Sequence, residues 1–186
     1  MRVLFCFSTL LCLLGCYDEP QPSTLADMRI ESDADRLTIR HALTAFEEAV
    51  VAMTGQMPSG GGEVLTVRVD PGLISEFGAS GFAFSAPNLP ADLTAATEVG
   101  VANGLYTLLH MAGVIYLHPE QTHYPDGAVS IPTLPTGIQK PDFEIRGFHE
   151  HTQHPIIMSD YLLVPDIDGG RAAVSRYLRW LARTRQ

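Results

Sequence analysis

TEVGVANGLYTLLHMAGVIYLHP, residues 97–119, decides the fold. Val101, Leu105, Leu108 and Ala112 recur at helical spacing, and Leu109 widens that apolar stripe. Thr97 suits an N-cap, Glu98 suits the positive helix end, and Gly113 can supply the left-handed residue after the last turn. Gly100 and Gly104 lie one turn apart on a shared face. Each lowers helix propensity by about 1 kcal/mol relative to alanine, a cost offset when the helix backbone must approach a sheet closely. Val114, Ile115, Tyr116 and Leu117 then supply a strand with no polar residue, expected to be buried and ended by His118-Pro119. A helix with a glycine seam running straight into such a strand belongs at the centre of a layered α/β domain.

Upstream, residues 33–54 read as a helix, because Ile39, Leu43, Phe46, Val50 and Met53 alternate at spacings of four and three. Asp33 or Asp35 can cap its start and Gly55 its end, while Glu47 and Glu48 fall on the solvated side. Ser59-Gly60-Gly61-Gly62 lacks the Lys-Ser/Thr of a phosphate-cradling loop and reads as a turn. Residues 63–70 alternate as a half-buried strand, with Leu65, Val67 and Val69 on one face and Thr66 and Arg68 on the other. Residues 71–80 form a loop around a short helical turn, and residues 81–86 and 91–96 form two short strands joined by a turn at 87–90. Downstream, residues 121–141 carry four prolines and two glycines and predict a long excursion without regular structure. Residues 143–149 start a new strand. Residues 171–185 form a last helix, with Val174, Leu178 and Leu181 on its apolar side and Trp180 beside them.

The 186 residues suffice for one domain and part of a second. With 46% hydrophobic and 18% charged residues, the chain has the composition of a folded protein. Its net charge of −9, from 12 Lys and Arg against 21 Asp and Glu, argues against nucleic acid as a partner, which needs a basic patch. Residues 1–16 read as a targeting segment: Arg2 precedes an apolar run at 3–14 too short to span a bilayer. That run ends in Leu13-Leu14-Gly15-Cys16, which resembles the lipobox of bacterial lipoprotein signal peptides. The resemblance implies lipidation of Cys16, anchoring to a membrane, and a cell-envelope address. Tyr17 in place of aspartate favours the outer membrane, on its periplasmic or surface face. All three cysteines, Cys6, Cys12 and Cys16, lie in this leader, which excludes cysteine hydrolases and thiolate metal sites from the rest of the chain. Residues 17–32, rich in Pro, Asp, Gln and Ser, read as a flexible tether.

A strand, then AATEVGVANGLYTLLHMAG, then IYLHP, then a proline-rich loop into PDFEIRGFHEH together resemble the amino-terminal domain of large bacterial glycoside hydrolases. The β-hexosaminidases and α-glucuronidases are the nearest of these. The likeness covers roughly residues 30–150 and is carried by the order of elements more than by any one string. It implies a small mixed sheet with two helices on one face, over residues 33–140, followed by the first βα unit of a (β/α)8 catalytic barrel at 141–186. Seven further strands would be needed to close that barrel, so the expectation is an interrupted chain.

Arg146 is the leading candidate site residue, and the resemblance implies that its guanidinium binds sugar hydroxyls. Pairing with Glu144 or with an interdomain carboxylate is the other reading of the same residue. His149, Glu150 and His151 replace the family's apolar-Asp continuation and read either as lining a sugar site or as structural or solvated residues. With His154 the two strand histidines form a weaker candidate metal set. His110, His118 and His123 are scattered and read as helix-end or loop residues. Asp142, Glu144, Glu150, Asp160, Asp166 and Asp168 match no catalytic acid pair of the kind glycoside cleavage requires. The expected function is therefore a noncatalytic domain of an anchored hydrolase acting on oligosaccharides, with no cofactor. The alternative is a complete lipoprotein that binds carbohydrate or a protein partner.

Overall fold

A computed structural model describes residues 23–32, 35–143, 146–147, 157–164 and 166–185. The architecture is α/β, with a mixed five-stranded sheet and a separate two-stranded ribbon among the described residues. The chain runs β1 (Arg29–Ser32), α1 (Leu37–Thr54), β2 (Val64–Val69), a 3-10 turn at Pro71–Leu73, α2 (Ile74–Phe77), β3 (Phe82–Phe84) and β4 (Ala91–Ala95). It continues through α3 (Glu98–Met111), β5 (Ile115–His118), β6 (Gln121–His123), β7 (Gly137–Gln139), α4 (Ile157–Leu163) and α5 (Gly170–Arg183).

The main sheet has the order β1-β2-β4-β3-β7, with β1, β2 and β4 parallel and β3 antiparallel to both β4 and β7. Register aligns Leu65 with Ala91, Val67 with Leu93, and Phe84 with Leu93, so these buried side chains share one face. Thr66, Arg68, Asp92 and Thr94 occupy the other face, where Arg68 and Asp92 pair at 3.3 Å. Helices α1 and α3 lie on the apolar face. Helix α3 sits on β2, β3 and β4, and α1 packs beside it, burying Ile39, Ala42, Phe46, Ala49 and Val50 in the same cluster.

The glycine seam is the contact that lets α3 approach. A methyl group on Gly100 would meet the Gly81 carbonyl oxygen at 2.3 Å and Ala95 Cβ at 2.8 Å. On Gly104 it would meet the Leu93 methyls at 2.4 and 2.8 Å. The Thr97 hydroxyl caps the helix by accepting from the Gly100 N–H at 3.2 Å and donates to the Ala79 carbonyl at 2.5 Å. Thr97→Ala removes both bonds, and a lost N-cap costs about 1 kcal/mol. The urea midpoint is expected to fall accordingly with an unchanged slope, followed by the fluorescence of the single tryptophan, Trp180.

Several expectations are corrected. Residues 23–32 are no tether: Leu25 and Met28 are buried and Arg29–Ser32 pairs with β2, because two apolar anchors outweigh the polar composition around them. Asp35 does not cap α1; Arg36 takes the N-cap position without a side-chain bond, and Asp35 instead pairs with Arg40 at 3.2 Å. Asp33 lies outside the described residues. The strand after α3 is not in the main sheet. Val114 is buried, but Ile115 and Leu117 are exposed on a ribbon that β5 forms with β6. The proline-rich excursion contains two strands, β6 and β7, the second closing the sheet edge beside β3. The buried stripe of α5 is Ala173 and Tyr177, and Leu178 is exposed.

Helix α5 is held to α1, α3 and β5. Trp180 donates its indole N–H to the Tyr116 carbonyl at 3.1 Å, and Arg183 reaches Glu48 on α1 at 2.7 Å while lying over the Tyr116 ring. Arg185, in the left-handed region at φ 63°, donates to the Thr107 hydroxyl of α3 at 3.0 Å. None of the described helices is long and apolar enough to cross a membrane.

Candidate functional site

Two adjoining cavities open where the α3 helix, the α5 C-terminus and the segment after β7 converge. They share Ser80, Asn103, Arg146 and Arg185 as walls. The first, of about 610 Å³, adds Thr38, His41, Val99, Ala102, Tyr106 and Ala182; the second, of about 360 Å³, adds Thr107, Gln139, Lys140 and Thr184 among others. Lys140 reaches the site because β7 ends at the sheet edge beside β3.

Arg146 is half-buried, and its Nε–H is buried with no hydrogen-bond partner among the described residues. A buried guanidinium N–H without a partner costs the desolvation of that donor. Asn103 is a buried polar residue on α3. Its amide donates to the Ser80 carbonyl at 2.9 Å, tying α3 to the loop before β3. Thr107 donates to the Asn103 carbonyl at 2.7 Å and accepts from Arg185. Burial pushes the Tyr106 hydroxyl above its usual range. Burial, and then the charge of Arg146, lower the pKa of Arg185.

No carboxylate and no thiol line either cavity among the described residues. The described lining can therefore bind polar ligands through N–H and O–H donors, and none of those described residues is a carboxylic acid.

No known protein family matches the chain, and no protein of curated function is similar to it.

Of those singled out from sequence, Arg146 is in the site. His149, Glu150, His151, His154, Glu144 and the lipidation residue Cys16 lie outside the described residues. So does most of the strand expected at 143–149; Phe143, Arg146 and Gly147 are described there and pair with no strand among the described residues. His110, His118 and His123 are exposed and separate from the cavities, as are Asp142, Asp160, Asp166 and Asp168. Among the described residues no three His, Cys, Asp or Glu side chains gather to hold a metal. Sequence reasoning missed Asn103, Lys140 and Arg185. Asn103 left a signal, as an amide between Gly100 and Gly104 on the face of the helix that meets the sheet. Arg185 left none, since its place depends on how α5 docks.

Proposed function

We propose that the chain is the noncatalytic amino-terminal part of an envelope-anchored glycoside hydrolase, contributing Arg146 to the recognition of an oligosaccharide. The observation that carries this is the lining of the cavities: arginine, amide and hydroxyl donors with no carboxylate among the described residues. Hydroxyl-rich ligands are held by such donors, whereas glycosidic cleavage needs an acid as well. The sheet with two helices on one face supports the accessory role. Exposed apolar side chains on and after α4 and on α5, Leu163, Val164, Ile167 and Leu178, support a further packed layer, which in this reading is the catalytic barrel. Lipidation at Cys16 would hold the assembly on a membrane, and the outer membrane is the proposed address.

The test is turnover. The purified chain is expected to release no product from a panel of nitrophenyl glycosides, and sustained release that is absent from a vector control would overturn the proposal. Reading the gene beyond codon 186 separates the alternative: a frame continuing in alternating strands and helices supports the hydrolase, and a stop there supports a complete binding lipoprotein.

A further inference from the structure

We propose that the smaller cavity, between Arg146, Arg185 and Lys140, is a binding site for a small oxoanion: a sulfate, phosphate or carboxylate group. The inference goes beyond the glycosidase assignment and does not rest on it, because it concerns the charge of the ligand and stands on three cations of this chain.

Three cationic side chains line one cleft of about 360 Å³, and no carboxylate among the described residues lines it to balance them. In a protein of net charge −9, such a local excess of positive charge runs against the composition. It is also costly: Arg185 is partly desolvated and is destabilised further by the charge of Arg146. An anion seated between the two guanidiniums removes both penalties at once. It accepts from guanidinium N–H groups of the two arginines that line the cleft, and it screens one arginine from the other. Arg185 is preorganised for this, since its Nη1 is already fixed on Thr107, leaving the rest of the guanidinium fork for a ligand. Lys140 is exposed and adds charge at the mouth.

The test is isothermal calorimetry on the purified chain at constant ionic strength, titrating sulfate, phosphate, glucuronate and glucose separately. Saturable binding of at least one anion is expected, with no comparable binding of glucose. Arg146→Gln and Arg185→Gln are each expected to weaken it about tenfold or more, the loss of one charge-assisted contact. Lys140→Gln should weaken it less. If Arg185→Gln loses its native circular dichroism, Arg146→Gln and Lys140→Gln decide. Tighter binding of glucuronate than of sulfate or phosphate places the anion on a sugar, and the reverse order makes it a free ion; both support the site. No saturable anion binding, or anion binding unaffected by Arg146→Gln, overturns it. Glucose binding without anion binding also overturns it while leaving the hydroxyl-recognition role of Arg146 standing.

Discussion

Replacing Gly100 with alanine is expected to destabilise the domain by about 2 kcal/mol, although alanine is the better helix former. The propensity gain is about 1 kcal/mol. Against it stands overpacking, which costs about 1–3 kcal/mol and more when backbone must move. At Gly100 backbone must move: the new methyl would lie 2.3 Å from the Gly81 carbonyl oxygen, an atom with no rotamer to escape by. Gly104→Ala should be milder, near 1 kcal/mol, because it meets the ends of a side chain, the Leu93 methyls at 2.4 and 2.8 Å. Urea unfolding of both variants checks the size and the ordering. Stabilisation by both substitutions would mean that α3 does not rest on the sheet through this seam.

Leu93→Ala is expected to cost about 4 kcal/mol, the largest single loss foreseen here. Leu93 is fully buried at the centre of β4, aligned with Val67 on one side and Phe84 on the other, directly under Gly104. Close packing leaves little room for the neighbours to collapse into the space, so the cavity term adds to the lost transfer energy. A loss of that size approaches the whole stability of a typical domain, about 5–15 kcal/mol. The pair also makes a cycle. In the Leu93→Ala background the methyl of Gly104→Ala fills vacated space, so the two losses should fall short of additive by about 1 kcal/mol or more. Strict additivity would place the two residues out of contact.

The stretch at 97–119 shows what sequence could and could not reveal. Its helix was readable because cap, stripe, glycine seam and C-terminal glycine are all local signals, and Thr97, Gly100, Gly104 and Gly113 take those roles. The strand after it was misplaced for a physical reason. A four-residue apolar run looks the same whether it enters a core or forms a ribbon, and only pairing with residues 121–123 exposes Ile115 and Leu117. Residues 23–32 were hidden in the same way, since a polar tract gives no sign that Leu25 and Met28 are buried until the sheet that covers them is known. At the site, Arg146 was legible as a charge inside an apolar segment. Lys140 and Arg185 join it only through the edge pairing of β7 and the docking of α5, which are long-range contacts without a local signature.

The most direct test of the central claim is hydrolysis by the product of the complete reading frame. Incubated with oligosaccharides, that product is expected to release sugar, and Arg146→Ala is expected to raise KM or abolish turnover while leaving the fold intact by circular dichroism. A full-frame product that folds, binds no oligosaccharide and cleaves none would contradict the account.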